Sequence, residues 1–97
     1  MDKKLKAKWV KALRSGGYLQ GKQYLKQTDD GVNYSYCCLG VLKEIEPKTR
    51  RKVDMELLGP SCGIDIDTQH ELAAMNDGLE QKQKGFRAIA NWIEKNL

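Results

Sequence analysis

The apolar residues near the end of the sequence recur every three or four positions, and this spacing is the strongest constraint on the fold. They stand at Phe86, Ile89, Ala90, Ile93 and Leu97, with mostly polar residues between them. In a helix this spacing places all of these side chains on one stripe, which must be buried against another element. The pattern therefore predicts a helix from residue 86 to about residue 96.

The N-terminal segment predicts another amphipathic helix. Leu5, Trp9 and Leu13 share one side of it, and basic residues occupy the other side. Asp2 is expected as the N-cap and Gly16 as the glycine that commonly follows a helix end. At about 100° per residue, the outer basic side chains fall within an arc of roughly 140°. This basic stripe consists of Lys3, Lys4, Lys8, Lys11 and Arg14.

A short buried helix is predicted to begin at Cys38, because apolar residues follow it at helical spacing as far as Ile45. Pro47 is expected to stop this helix. Gly40 lies inside it and costs about 1 kcal/mol of helix propensity relative to alanine. A close approach by a neighbouring group would explain the glycine, and we expect that neighbour to be Trp9.

Another helix is signalled by the capping-box pattern of Thr68 and Glu71, in which each side chain bonds to the other residue's free amide. Apolar residues 72–75 follow, and Asn76-Asp77-Gly78 is expected to end the helix. Residues 48–63, by contrast, contain a basic cluster and two glycines, and are predicted to be irregular.

The region between the first two helices predicts a β-hairpin. Residues 17–21 are expected to form a turn, and the β-prone runs Lys22–Gln27 and Asn33–Cys37 flank the turn-forming pair Asp30-Gly31. The fold expected for residues 1–97 is a single α+β domain with about four helices packed around one short antiparallel β-hairpin.

Charge is unevenly distributed along the chain, and this distribution limits the classes of binding partner that we expect. Residues 1–26 carry eight Lys or Arg and one Asp, whereas the whole protein has a net charge of +4. The basic stripe therefore suits nucleic acid, an anionic ligand or an acidic protein. A membrane-spanning helix is not expected, because the longest apolar run, residues 37–42, is far shorter than the roughly 20 residues needed to span a bilayer. A membrane-surface partner is not expected either, because the apolar face of the first helix is narrow and must also build the core.

The residues capable of catalysis or metal binding are few. The spacing of a structural zinc site is not found among Cys37, Cys38, Cys62 and His70. The cysteines are therefore expected to be buried thiols, and the protein is expected in the reducing environment of the cytoplasm. No acid–base pair, nucleophile or phosphate-binding glycine loop is recognisable. We therefore expect neither enzymatic activity nor a cofactor.

One group of residues has the chemistry to hold a phosphorylated base. Arg14 and Lys22 can pair with phosphate, and Gln20-Gly21 provides a turn whose amides an anion can approach. Tyrosine faces can stack on a base. The alternative is that the tyrosines pack the hairpin onto the helices. The tyrosines are Tyr18, Tyr24, Tyr34 and Tyr36.

The sequence resembles a widespread set of small phage and prophage proteins. The resemblance lies in four blocks: residues 8–16 (KWVKALRSG), Gln20-Gly21, residues 36–42 (YCCLGVL), and the pair formed by residues 72–77 (LAAMND) and 86–94 (FRAIANWIE). Residues 63–67 correspond to no such block. The resemblance implies a phage setting and a shared fold rather than an activity.

Small phage accessory proteins often act by binding, and some sequester nucleotide signals of host immunity as homo-oligomers. This setting leads us to expect a nucleotide-type ligand. Its phosphate is expected to contact Arg14 and Lys22, and its base to stack on Tyr18 or Tyr36. The base is expected to be recognised by Gln20, Asn76 or Asp77. A nucleic-acid-binding module that uses Lys4, Lys8 and Lys11 is the first alternative. An inhibitor that docks on an acidic host protein is the second.

Overall fold

The computed structural model describes residues 3–45, 64–78 and 82–97. Within these ranges the chain forms four helices and three short strands, and the predicted α+β class is confirmed. The elements in chain order are α1 (Lys3–Arg14), β1 (Leu19–Gln20), β2 (Lys26–Gln27), β3 (Ser35–Tyr36), α2 (Cys38–Ile45), α3 (Ile66–Asp77) and α4 (Phe86–Asn96). The expected cap at Asp2, the stop at Pro47 and the irregular segment 48–63 lie outside the described residues.

The three strands form a mixed sheet rather than a lone hairpin. The strand order is β1-β3-β2, with β1 parallel and β2 antiparallel to β3. The prediction that residues 17–21 are only a turn was wrong, because Leu19 and Gln20 pair with Ser35 and Tyr36. The Gly21 N–H extends this pairing by donating to the Tyr36 carbonyl at 2.7 Å. A two-residue strand leaves no alternation in the sequence from which it can be predicted.

The chain reverses between β2 and β3 at the predicted Asp30-Gly31 pair. The Asp30 carboxylate accepts from the backbone N–H groups of Val32 and Asn33 at 2.8 and 2.7 Å. These hydrogen bonds favour the charged form and hold the pKa of Asp30 well below its usual range. Gly31 has a φ of 74°, a conformation that glycine adopts without the steric cost of a side chain. The loop is thus fixed by its own polar groups.

Helix α2 begins at Cys38 as predicted, but the neighbour of Gly40 is not Trp9. A Cβ at Gly40 would overlap the backbone carbonyl of Leu25, so only glycine allows this approach. The Trp9 Nε1–H instead donates to the Cys38 carbonyl at 2.8 Å. That hydrogen bond satisfies the indole inside the core and ties α1 to the start of α2.

Helix α3 begins earlier than the capping-box pattern predicted. Asp65, not Thr68, is the N-cap, and its carboxylate accepts from the Thr68 N–H at 2.7 Å. Aspartate caps at least as well as threonine, and the earlier start adds helical hydrogen bonds. The same bond lowers the pKa of Asp65. The end of α3 is as predicted, with Gly78 in the left-handed conformation at φ 77°.

The last helix, α4, occupies the predicted residues and buries the predicted stripe. Ile89, Ala90 and Ile93 are fully buried, and Phe86 is nearly so. The most extensive helix–helix contact joins α1 to α4. Within the described residues, no helix has the length and apolar character required to cross a membrane. The core also contains Trp9, Val10, Leu13, Leu25, Cys37, Cys38, Leu39, Val41, Leu42, Ile64, Leu72 and Met75.

Candidate functional site

A groove of about 800 Å³ lies between α1 and the end of α4. Its apolar surface comes from Ala7 and Val10 of α1 and from Leu97. The remaining lining residues are polar or charged: Lys3, Lys6, Lys11, Arg14, Ser15 and Glu94. The volume falls within the roughly 300–1,000 Å³ range of small-molecule sites, and the combination of apolar and cationic surface suits an anion that also has an apolar part.

The basic side chains of the groove are only partly neutralised by the protein. Among the described lining residues, Glu94 is the one with a carboxylate side chain, and it pairs with Arg14 at 2.9 Å. Lys6 donates to the main-chain oxygen of Glu94 at 3.1 Å. The side chains of Lys3 and Lys11 make no hydrogen bond or ion pair with any residue in the described ranges. A positive potential in the groove follows from this imbalance.

Arg14 is held in place by two residues of α4. Its Nη1 group donates to the Glu94 carboxylate, and its Nη2 group donates to the Asn91 Oδ1 atom at 2.7 Å. The two acceptors are one helical turn apart on α4 and lie at the C-terminal end of α1. The guanidinium is thus oriented by the helix pairing although it remains partly exposed.

A smaller recess of about 350 Å³ adjoins Arg14, and it is lined by Arg14, Arg87 and Asn91. None of the described residues that line this recess has a carboxylate side chain. Arg87 is exposed, and its side chain makes no hydrogen bond or ion pair with the described part of the chain. Two guanidinium groups and one amide are therefore gathered around one recess.

Three predicted ligand-binding residues meet each other in a hydrogen-bond network away from the helix groove. The Gln20 Nε2 group donates to the Asn76 Oδ1 atom at 3.0 Å and to the Lys84 carbonyl at 2.8 Å. The Asp77 carboxylate accepts from the backbone N–H of Gln23 at 3.0 Å, where Gln23 has a φ of 69°. This network joins the sheet region to the end of α3.

Asn76 is the centre of that network and is fully buried. Its Oδ1 atom also accepts from the Cys38 N–H at 3.1 Å. Its Nδ2 group donates to the Gly21 carbonyl and to the Asp77 carboxylate at 2.8 and 3.0 Å. Recognition of a ligand by Asn76 would require one of these buried bonds to break, so the geometry gives this residue a role in folding.

The predicted stacking residues contact each other. The rings of Tyr18 and Tyr36 meet edge to face with centroids 5.3 Å apart, and both lie against the core. Burial raises the pKa of Tyr36. Lys22 is exposed. For Tyr18 and Tyr36 these contacts agree with the alternative in which tyrosines pack the sheet onto the helices, whereas Tyr24 and Tyr34 are exposed. Stacking on a base stays a prediction.

The described cysteines are buried thiols. Burial raises the pKa of Cys37 to about 11, and that of Cys38 also rises because its thiol is buried. Cys62 lies outside the described residues. In the ranges that the structure covers, no group of three or more His, Cys, Asp or Glu side chains is arranged to hold a metal ion. The surroundings of Cys37 and Cys38 suit packing rather than nucleophilic chemistry.

Sequence reasoning identified Arg14 but missed its partners on α4. Asn91 and Glu94 are separated from it by 77 and 80 residues, so no local pattern connects them. The available signal was their spacing, which with Arg87 places all three on the polar side of an amphipathic helix. Lys6 was missed because it lies outside the predicted basic stripe. Lys4, Lys8 and Lys11 are exposed, and Lys11 also lines the groove.

The fold and the groove define a small α+β protein with a basic cleft between its terminal helices. Residues 1–58 match the model of a domain of unknown function, DUF8296, and the chain belongs to that family. The match includes α1 and the sheet, and it ends before α3 and α4. Comparisons with curated proteins and with solved structures give no match.

Proposed function

We propose that this protein is a phage accessory binding protein that sequesters a nucleotide-type ligand in the α1–α4 groove. The observation that carries the proposal is the combination of four cationic side chains with an apolar surface in a groove of about 800 Å³. The phosphates would contact the cations, and the base would lie on Ala7, Val10 and Leu97. Arginine suits this role because its planar fork pairs with two phosphate oxygens.

The function proposed is binding without catalysis, in the cytoplasm of the host. The phage setting comes from the sequence resemblance, the nucleotide signal comes from the analogy with other phage accessory proteins, and the groove supports the chemical class of ligand. Of the predicted contact residues, Arg14 lies in the groove, whereas Gln20 and Asp77 already bond to protein groups. A homo-oligomer, in which a second copy completes the groove, remains part of the proposal.

The decisive experiment is native mass spectrometry of the protein, alone and with a panel of candidate ligands. The panel contains cyclic di- and trinucleotides, ADP-ribose isomers and a short DNA duplex. Retention of one small nucleotide per groove supports the proposal, and the same spectra report the number of subunits. A protein that retains none of the small nucleotides contradicts it.

Arg14→Ala is the matched variant for this experiment, with Lys8→Ala as its control. Both remove one positive charge from α1, but only Arg14 lines the groove. We expect Arg14→Ala to weaken nucleotide binding at least about tenfold, because hydrogen bonds to charged groups contribute roughly 1.5–3 kcal/mol. Lys8→Ala should bind normally. Equal binding by the two variants would remove Arg14 from the site.

A nucleic-acid-binding function is the second candidate, favoured by the exposure of Lys4, Lys8 and Lys11 along one helix. In that case Lys8→Ala would weaken binding to the DNA duplex, and the affinity would fall steeply as salt increases. Docking on an acidic host protein would share the salt dependence but leave the duplex and the nucleotides unbound.

A further inference from the structure

The recess beside Arg14 differs from the main groove in its chemistry. The described residues that line it are Arg14, Arg87 and Asn91, and none of these three has an apolar or carboxylate side chain. Two like charges that share a recess favour any anion that enters it, because the anion relieves their repulsion. Arg14 already pairs with the Glu94 carboxylate, whereas the Arg87 side chain has no acidic partner among the described residues.

The hydrogen-bonding capacity of the recess is only partly used. Arg14 is oriented by its bond to the Asn91 Oδ1 atom, and this bond leaves the Asn91 Nδ2 group as a donor without a partner in the described residues. Arg87 precedes Asn91 by one helical turn on α4 and is likewise unpaired there. These exposed donors are open to water, and an anion that replaces the water can accept hydrogen bonds from both side chains.

From these contacts we infer that the recess is a phosphate subsite in which Arg14, Arg87 and Asn91 bind one phosphate group. The inference rests on the proposed function, since it assigns to this subsite one phosphate of the ligand whose remainder occupies the groove. Arg14 lines both spaces and so connects them. The oxygens of one phosphate group can together accept hydrogen bonds from both guanidinium groups and from the amide.

Glu94 limits the affinity of this subsite. Its carboxylate bonds to the Nη1 group of Arg14, so an incoming phosphate competes with it for that donor. The two side chains are 40% and 60% exposed, and an exposed ion pair of this kind is weak enough for a phosphate to displace. Asn91 keeps the guanidinium in place when Glu94 is displaced.

The test uses the arginine Nε–Hε NMR signals of the full chain titrated with inorganic phosphate. We expect shifts at Arg14 and Arg87, with Arg87→Gln weakening phosphate binding at least about tenfold. Lys95→Gln is the matched control, because it removes the same charge from an exposed position of the same helix. Arg87→Lys should restore affinity only in part, since lysine has the charge but not the fork.

Glu94→Gln should raise the affinity for phosphate by about threefold, because a competing carboxylate is removed. The subsite would be overturned if Arg87→Gln and Lys95→Gln lost the same amount of phosphate affinity. It would also be overturned if phosphate shifted the signals of all the arginines equally. A nucleotide that binds equally well to wild type and to Arg87→Gln would also overturn it, while leaving the proposed function intact. Phosphate bound at Arg14 and Arg87 in a protein that retains no nucleotide would support the subsite and refute the proposed function.

Discussion

The interior around Asn76 and the groove between α1 and α4 differ in how far their polar groups are hydrogen-bonded within the protein. In the interior, every buried side-chain nitrogen or oxygen of the described residues has a hydrogen-bond partner. In the groove, Lys3 and Lys11 have no partner within the described ranges, and the ion pair of Arg14 is partly exposed. The same chain therefore satisfies its polar groups completely in one region and leaves them available in the other.

The difference follows from what each environment costs. A buried polar group without a partner costs about 1–3 kcal/mol, so the network around Asn76 must be complete for the protein to fold. An exposed lysine without a partner costs almost nothing, because water solvates it. Folding therefore explains the polar residues of the interior but not the collection of cations in the groove, and binding supplies an explanation for the latter.

Asn76→Ala tests the interior half of this comparison and should have the largest effect. It leaves the Cys38 N–H and the Gly21 carbonyl without their partner, and we expect a loss of about 4 kcal/mol in the free energy of unfolding. Denaturation by urea measures this change.

The control is Asn96→Ala, which removes an exposed amide that bonds to the Trp92 carbonyl. This substitution should cost less than about 1 kcal/mol. Similar costs for the two alanine variants would mean that the network is not what stabilises the junction between the sheet and α3.

Gly40→Ala tests how tightly the interior is packed, and the expected loss is about 3 kcal/mol. The added methyl group would overlap the Leu25 carbonyl, which belongs to the backbone and cannot rotate away as a side chain can. Gly85→Ala is the control, since a Cβ at Gly85 has no other atom within 4 Å. Thermal unfolding should separate the two variants clearly, and equal melting temperatures would contradict the close approach of Leu25 to α2.

The helices were predictable because each has a local signal, whereas the contacts that unite them were not. Periodic apolar residues located α4, and Gly78 marked the end of α3. Asp65 and Thr68 can both cap a helix, and the capping-box pattern pointed to Thr68, whereas the N-cap of the helix is Asp65. The parallel partner of β3 and the neighbour of Gly40 depend on residues distant in sequence. The site follows the same rule, because Arg14 was identifiable from its place in a basic helix, while Asn91, Glu94 and Arg87 required the packing of α4.

The smallest effect is expected in the groove, for the double variant Lys3→Gln, Lys11→Gln. Neither lysine has a partner in the described residues, so their loss should change the free energy of unfolding by less than about 0.5 kcal/mol. Affinity for an anionic ligand should nevertheless fall, since half of the four groove cations are neutralised. Urea denaturation and ligand titration of the same sample separate the two quantities. A destabilisation as large as that of Asn76→Ala would show that these lysines support the fold, and the contrast between the two regions would no longer point to binding.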